Sequence, residues 1–288
     1  MNPETAAARA ALDPAPLEEL AAQLRLGFIK VVPSSGSTNT ELAQLASDGL
    51  ASHLSVYFSE HQHQGKGRLG REWVTPAGSA ITVSILASPG TAIEPQSLSW
   101  YTMLAALAWS RAVQELVAVN ARIKWPNDVL AGDRKICGIL AQMVQTPQGF
   151  AVVVGTGMNV DQEAAELPVE TATSLRLASG SRVDRSALLA GYLRQFVALD
   201  AAFRAVGGQS EAALKPFGNR SLRELVAERL ATLDQEVRVE FPDGSTLLGQ
   251  AVQLAEDGAL VVQDTAGQSH RILAGDVHHV RRADGKYA

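Results

Sequence analysis

The sequence predicts an α+β domain followed by a small antiparallel β domain. Up to about residue 233, strand-like segments alternate with helical patterns, the longest at 97–117 and 185–206. From Gln235 onward the chain holds short strand-like segments separated by turn signals such as Asp257-Gly258. Roughly 50 residues of this kind are typical of a small barrel. We therefore expect an N-terminal extension at 1–27, a first domain at 28–233 and a second at 234–288.

The composition predicts a cytoplasmic protein with an ordinary buried core. The 288 residues are 46% hydrophobic and 19% charged, with a net charge of −5, which does not favour general nucleic-acid binding. The single Cys137 fits a reducing compartment. No apolar run reaches the ~20 residues that span a bilayer, and the N-terminus lacks a signal-peptide core. We expect neither DNA nor a membrane as a partner.

The elements of the first domain follow from apolar spacing and turn residues. The first helical pattern lies at 17–26, and a strand at 28–33 leads into Ser-Ser-Gly-Ser-Thr-Asn. Thr38 and Glu41 have the spacing of a capping box, so Ser37, Thr38 and Asn39 can be read simply as the start of a helix. The remaining predicted elements are strands at 54–59, 81–87, 123–125, 129–131, 135–144 and 151–154, and a helix at 222–230.

The segment Glu60 to Trp73 is the strongest local signal for function. Three glycines and three cations fall within the seven residues 65–71. Glycine permits close approach of a ligand, and clustered cations call for an anion, so we interpret this segment as a mobile anion-binding loop. Its Gly65-x-Gly67-x-x-Gly70 spacing also matches a dinucleotide fingerprint, but no helix follows Gly70. A solvated basic hairpin tip is the plainer alternative.

Two further polar clusters lie between 124 and 135. Lys124-Trp125-Pro126-Asn127-Asp128 places a carboxylate and an amide on a turn, which suits a hydrated Mg²⁺ on nucleotide phosphates. Lys135 begins an otherwise apolar strand, and alone it can be read as a lysine that extends its ammonium to solvent. His61 and His63 lack a nearby third ligand, so we interpret them as structural.

Five motifs in order resemble those of the biotin–protein ligases. They are Ser-Thr-Asn at 37–39, Gly-Lys-Gly-Arg-Leu-Gly-Arg at 65–71, Lys-Trp-Pro-Asn-Asp at 124–128, Arg-Lys-Ile-Cys-Gly-Ile-Leu at 134–140 and Gly-Thr-Gly-Met-Asn at 155–159. The resemblance covers the chain from about Phe28. It implies an α+β fold in which a mixed-sheet catalytic domain of the biotin/lipoate ligase type precedes a small SH3-like β-barrel.

The same resemblance implies the reaction and its partners. Biotin's carboxylate attacks the α-phosphorus of ATP to give biotinyl-5′-adenylate, and a lysine of a biotin carboxyl carrier domain of acetyl-CoA carboxylase then takes the biotin. ATP, biotin and Mg²⁺ are the implied small molecules, and a homodimer through a sheet edge is left open. The length predicts the form that lacks the family's N-terminal DNA-binding domain. A lipoate or octanoyl ligase and a non-enzymatic DNA-binding regulator are the alternatives.

Site residues are carried over from the family motifs. Arg68 and Lys135 are expected to be catalytic, and Asn127 and Asp128 to hold the metal. The expected biotin-binding residues are Ser37, Thr38, Asn39, Gln62, Gly65, Lys66, Gly67, Arg68 and Lys135. The expected ATP-binding residues are Arg68, Arg71, Trp73, Lys124, Asn127 and Asn159. Lys66 stands where the family usually has arginine, and we expect its backbone N–H to be what matters. A basic residue of the C-terminal pair Arg281-Arg282 is expected near the phosphates or the carrier.

Overall fold

The structure is a computed structural model that describes residues 9–90, 93–241, 243–273 and 275–279. Arg281 and Arg282 lie outside this range. The helices are α1 (Pro14–Leu24), α2 (Thr38–Ser47), α3 (Trp100–Val117), α4 (Leu175–Ser179), α5 (Arg185–Ala205) and α6 (Leu222–Arg229). No helix in these ranges is both long and apolar enough to cross a membrane.

A seven-stranded mixed sheet forms the centre of the first domain. Its strands are β1 (Ile29–Val32), β2 (Val56–Ser59), β3 (Ala80–Ala87), β4 (Ala121–Lys124), β5 (Asp128–Ala131), β6 (Arg134–Thr146) and β7 (Gly149–Asn159). They are ordered β1-β2-β3-β7-β6-β5-β4, with β1 and β2 parallel and the other neighbours antiparallel. The mixed sheet predicted from the family resemblance is confirmed.

The two faces of the sheet differ in what covers them, and this difference creates the site. One face, the helix-covered face, packs Val83, Val154 and Ile139 against the long helices α3 and α5 in the main hydrophobic core. On the other, the open face, α2 covers one part through a second small core that includes Leu42 and Leu86. The rest of the open face carries serine and glycines instead of large apolar residues, so it leaves room for a ligand.

The second domain is an antiparallel sheet of five strands. They are β10 (Glu236–Glu240), β11 (Thr246–Leu254), β12 (Leu260–Gln263), β13 (Ser269–Ile272) and β14 (Asp276–His279), in the order β13-β12-β11-β10-β14. Before it, a short ladder pairs β8 (Ala213–Leu214) with β9 (Arg220–Ser221). The predicted antiparallel pattern is confirmed. Among the described residues the pairing leaves β13 and β14 as edges rather than closing a barrel.

The two domains share one contiguous hydrophobic core. Val237 and Leu260 of the second domain belong to the same buried cluster as Trp100 and Trp125 of the first. Both indoles also donate across the boundary, Trp100 Nε1 to the carbonyl of Glu256 at 2.9 Å and Trp125 Nε1 to that of Gly258 at 3.0 Å. The second domain therefore supports the turn that follows Trp125.

Candidate active site

A cleft on the open face brings most of the predicted site residues together. It contains about 470 Å³ of free space, part of it open to solvent. Its lining comprises Ser37, Thr38, Asn39, Gln62, Lys66, Gly67, Arg68, Trp73, Asn127, Lys135, Gly138, Ile139, Leu140, Gly155, Thr156 and Gly157. Three of these described residues are cations and none is a carboxylate, so the cleft suits an anionic ligand.

One end of the cleft is polar and uncharged. Both the backbone N–H and the hydroxyl of Thr38 donate to Gln62 Oε1, at 2.7 and 3.1 Å. The predicted capping box is therefore wrong: α2 begins at Thr38 with Ser37 as its N-cap, and Ser37 makes no cap hydrogen bond. Ser37, whose side chain makes no cap hydrogen bond, lines the cleft.

Ser84 supports two residues of the cleft, and the sequence analysis missed it. It is fully buried on β3, and its hydroxyl lies 2.8 Å from Thr38 Oγ1 and 2.6 Å from Asn39 Oδ1. The Asn39 amide also donates to the carbonyl of Leu140 at 2.9 Å. Thr38 and Asn39 are thereby fixed in position before any ligand arrives. An alternating polar residue in the strand at 81–87 was the available signal.

Glycines form the floor beneath this network and beneath Trp73. A Cβ on Gly155 would lie 1.9 Å from Asn39 Oδ1, and one on Gly157 would lie 2.3 Å from Trp73 Cε2. Gly155 and Gly157 are two residues apart in β7 and therefore lie on the same face, which explains the Gly-x-Gly spacing of the motif. Their role is to let two side chains lie directly on the sheet.

A β-bulge aims Lys135 into the cleft. Val129 pairs with Cys137 but Leu130 pairs with Lys135, so Ile136 is an extra residue in β6. In a regular strand Lys135 would share the helix-covered face with the buried Cys137. Instead its Nζ lies 2.7 Å from Asp128 Oδ1 and 5.8 Å from the centre of the Trp73 ring. The bulge turns a core-facing position into a site position.

The backbone of Lys135 is held from both sides. On one side it belongs to the β5–β6 ladder; on the other its N–H donates to the carbonyl of Thr171 at 2.9 Å. Its own carbonyl accepts from the Thr173 N–H at 2.8 Å. The side chain is one-third exposed, so its ammonium is accessible from the cleft while the backbone is fixed by these bonds.

Arg68 links three parts of the molecule at the cationic end. Its Nη1 donates to Asn127 Oδ1 at 3.0 Å and its Nη2 to the carbonyl of Gly275 at 3.3 Å. The other amide atom of Asn127 donates to the Ile139 carbonyl at 2.8 Å. The glycine-rich loop, the turn at 126–128 and the second domain thus meet at one guanidinium.

The glycine-rich loop (residues 65–71) folds as a narrow turn. Gly67 N–H donates to the Arg71 carbonyl at 2.6 Å, and Trp73 N–H to the Gly65 carbonyl at 2.9 Å. Leu69 and Gly70 have φ of 55° and 74°, the left-handed region. A Cβ on Gly65 would lie 2.3 Å from the Trp73 carbonyl, so this position requires glycine. Lys66 is exposed although it borders the cleft.

Three predicted ATP-binding residues do not line the cleft. Arg71 is exposed and forms an ion pair with Asp276 of the second domain. Lys124 lies near His279 at the domain boundary. The Asn159 amide is buried, donating to the Thr173 carbonyl at 3.0 Å and accepting from Gln162 at 3.0 Å. Their predicted contacts with ATP require movement of these side chains.

His279 at the domain boundary predicts acid sensitivity. Burial, with Lys124 and Arg122 nearby, lowers the pKa of His279 to about 4. Its Nε2 lies 3.2 Å from Thr232 Oγ1, which also accepts from the Trp125 N–H at 3.0 Å, so protonation of His279 would place a charge on a ring packed at this boundary. Since an unfolded histidine titrates near 6.5, this stabilisation is complete above pH 6.5 and is lost as the pH falls toward 4.

Unfolding by urea at pH 7.5 and pH 5 measures this loss. Wild type should lose more stability over that interval than His279→Gln, which cannot titrate. His278→Gln, at the exposed neighbouring position, should behave as wild type. An equal pH dependence of His279→Gln and wild type would contradict the assignment.

The class of protein is given by comparison with family models. A model described as "Biotin/lipoate A/B protein ligase family" matches residues 31–159, and one described as "Biotin protein ligase C terminal domain" matches residues 232–280. The first contains all five motifs of the cleft. The second matches the antiparallel domain from Thr232 onward.

Individual relatives distinguish the biotin ligases from the lipoate ligases within this family. The chain is 34% identical over 256 residues to a biotin–[acetyl-CoA-carboxylase] ligase of Mycobacterium tuberculosis, covering 88% of this chain and 89% of the relative. It is 39% identical over 155 residues to one of Paracoccus denitrificans, covering 51% and 62%. This chain belongs to the biotin protein ligase family.

A solved structure supports the fold independently. The biotin protein ligase of Aquifex aeolicus, in complex with biotin and ATP, superposes with a TM-score of 0.70. The alignment covers 87% of this chain and 97% of that one at 24% identity. The mixed sheet and the following antiparallel domain are therefore the fold of that ligase.

Proposed function

We propose that this protein is an ATP-dependent biotin–[acetyl-CoA-carboxylase] ligase. It activates biotin to biotinyl-5′-adenylate and transfers it to a lysine of a biotin carboxyl carrier domain. The observation that carries this proposal is the division of one cleft into an uncharged polar end at Thr38 and Gln62 and a cationic end at Arg68 and Lys135. Biotin has the same division, a neutral ureido ring at one end and a carboxylate at the other.

The polar end suits the ureido group. Ser37, Thr38 and Gln62 offer donors and acceptors, while Leu140 supplies apolar contact for the rest of biotin. Asn39 acts through the network that fixes Thr38. Lys66 and Gly67 border the same cleft through the glycine-rich loop, with Lys66 acting through its backbone, while Gly65 acts by holding the loop against Trp73. Fixed partners favour binding because little ordering remains to be done.

The cationic end suits formation of the adenylate. A carboxylate oxygen of biotin attacks the α-phosphorus, the bond to the β-phosphate oxygen breaks, and pyrophosphate leaves. Both reactants are anions, so the barrier depends on cations that neutralise their repulsion. Arg68 and Lys135 are placed to do this, and one such donor typically contributes about 10²–10³ in rate. In the second step the carrier amine attacks the anhydride carbonyl and AMP leaves.

The remaining ATP contacts are part of the proposal. Trp73 lies flat over Gly157 and forms a surface for adenine, with Asn159 behind it on the same strand face. Arg71 and Lys124 reach the outer phosphates after leaving their present neighbours. Asn127 lies at the turn beneath Arg68 and takes part in binding the phosphates.

Mg²⁺ fits the site as an ion held mainly by phosphates. Asp128 offers one carboxylate beside the cleft, and its Oδ1 is buried with Lys135 as neighbour. Asn127 Oδ1, which accepts from Arg68 at 3.0 Å, is the second oxygen that would hold the ion. No group of three or more acidic, histidine or cysteine residues in the described ranges could hold a metal alone. Mg²⁺ would supply additional positive charge on the phosphates, and one or two carboxylates suffice for it.

The carrier can approach the cleft along β6. β5 pairs with β6 only as far as Gly138, whereas β6 continues to Thr146 with β7 as its partner among the described strands. This edge begins beside the cleft at Ile139, whose N–H and carbonyl both bond to Asn127, and continues past Leu140 without a further strand partner among the described residues. The same edge is also where a homodimer would form. As part of the proposal the enzyme acts in the cytoplasm, where a lone thiol remains reduced.

A panel of acids and acceptors tests the proposed function. The protein is incubated with ATP, Mg²⁺ and either biotin, lipoate or octanoate, and with the matching carrier domains. We expect the biotin carrier to be labelled when the acid is biotin, and no carrier to be labelled when it is lipoate or octanoate. Labelling with lipoate or octanoate instead would identify the related ligase, and a shift of biotin-operon DNA without labelling would identify a regulator.

Gly155→Ala is expected to raise the KM for biotin at least tenfold. The new methyl group would meet Asn39 at 1.9 Å and displace it from Ser84, which loosens Thr38. Gly36→Ala is the matched control, because its Cβ would meet Gln64 at an ordinary 3.7 Å. Steady-state kinetics with varied biotin measure the change. An unchanged KM in Gly155→Ala would exclude Asn39 as the organiser of this end.

A further inference from the structure

The second domain contacts the glycine-rich loop at two points. The carbonyl of Gly275 accepts from Arg68, and the carboxylate of Asp276 pairs with Arg71. Gly275 and Asp276 are consecutive at the start of β14. The two arginines therefore connect both sides of the loop to one short segment of the other domain.

The segment that receives the arginines is firmly placed. Asp276 pairs with Glu240 in the β10–β14 ladder, and its side chain is 16% exposed, whereas that of Arg71 is 67% exposed. Gly275 has a φ of 152°, and a Cβ there would meet the Glu240 carbonyl at 3.0 Å. The two acceptors therefore lie on or next to a strand held in a sheet, and the arginines of the loop extend to reach them.

The other end of β14 supports the cleft from below. His279 contacts Thr232, which accepts from the backbone N–H of Trp125, two residues before Asn127. One strand is therefore linked at its start to the loop and at its end, through Thr232, to the residue that precedes the turn.

We propose that Asp276 is a positioning residue that holds the glycine-rich loop closed over the cleft by pairing with Arg71. This proposal rests on the proposed function, in which a reactive adenylate forms in the cleft that the loop borders. Arg71 is then neutralised by a protein carboxylate before substrate binds. The loop therefore has a negative partner within the protein even when no phosphate is bound.

The strength of the contact suits a latch that must also open. An exposed ion pair contributes about 0.2–1 kcal/mol, which corresponds to a shift of about 1.4- to 5-fold in an equilibrium. Such a latch favours the closed loop while still letting substrates enter. ATP phosphates can compete with Asp276 for Arg71, because Arg71 is mostly exposed.

Amide hydrogen exchange of residues 65–71 in the full-length protein without ligands tests the latch. Asp276→Asn removes the charge and keeps the shape, so exchange in the loop should rise about two- to fivefold. Asp276→Glu should keep wild-type exchange. Glu236→Gln removes a charge at an exposed position of β10 in the same domain and should also match wild type.

A charge exchange separates the latch from a general effect on folding. Arg71→Asp alone should behave as Asp276→Asn, and Arg71→Asp with Asp276→Arg should return the exchange toward wild type. Wild-type exchange in Asp276→Asn, or no recovery in the double variant, would overturn the proposal. Because no substrate is present, this result is independent of whether the chain ligates biotin.

Release of the intermediate provides a second readout. With biotin and ATP and no carrier, Asp276→Asn should release biotinyl-adenylate about two- to fivefold faster, while the rate of pyrophosphate exchange at saturating substrates is maintained. A slower exchange rate with unchanged release would place Asp276 in support of the chemical step instead and overturn the latch.

Discussion

Lys135→Ala is expected to reduce biotinyl-adenylate formation by at least about 10²–10³-fold. The ammonium stands at the cationic end of the cleft, 2.7 Å from Asp128. The other lysine among the described lining residues, Lys66, lies on the loop and not on the sheet. The fold should persist, because the side chain is one-third exposed and the backbone bonds of Lys135 do not involve it.

Isotope exchange between pyrophosphate and ATP in the presence of biotin measures this step. Arg134→Ala is the matched control, since Arg134 is the exposed neighbour at the start of the same strand. Circular dichroism and unchanged thermal unfolding verify the fold. Near wild-type exchange in Lys135→Ala would remove its catalytic role and leave it a lysine extended to solvent.

Arg68→Gly is expected to have the second largest effect, on retention of the intermediate. It removes the hydrogen bonds to Asn127 and Gly275 that tie the loop to the turn and to the second domain. It also adds backbone freedom, and ordering one residue costs about 1–2 kcal/mol. The open site should release biotinyl-adenylate, which then labels nearby lysines of other proteins.

This release is measured as the amount of biotin attached to an unrelated protein when no carrier domain is added. Gln64→Gly, at an exposed position before the loop, controls for the added glycine. Trypsin cleavage after Lys66 or Arg68 in wild type should slow when biotin and ATP are added, since the adenylate supplies an anion for the loop. Equal cleavage with and without ligands would show that substrates do not tighten the loop.

The sequence predicted elements whose signals are local. The strand at 81–87 corresponds to β3 at Ala80–Ala87, and the turn between Lys124 and Asp128 lies where proline and asparagine indicated it. The cationic loop was recognisable because three clustered cations require an anion or solvent, and the Gly-x-Gly segment because glycine is unusual within a strand. The same types lie together in the cleft.

Other features depend on pairing between distant residues and left no local signal. The bulge at Ile136 is defined by how β6 pairs with β5. The apolar pattern of the sequence therefore predicted that Lys135 lies in a strand but not which face of the sheet its side chain is on. The predicted cap at Thr38 failed because Gln62, 24 residues away, takes both of its donors. Asp276 became relevant only when the second domain was seen beside the loop, and β14 itself was not predicted.

The central claim is that the polar and cationic ends of one cleft join biotin to AMP. Pyrophosphate–ATP exchange by the wild-type protein with biotin, lipoate, octanoate or no acid tests it most directly. The account predicts exchange that requires biotin and falls to background with the other acids. Exchange with lipoate or octanoate but not with biotin, or exchange without any acid, would contradict it.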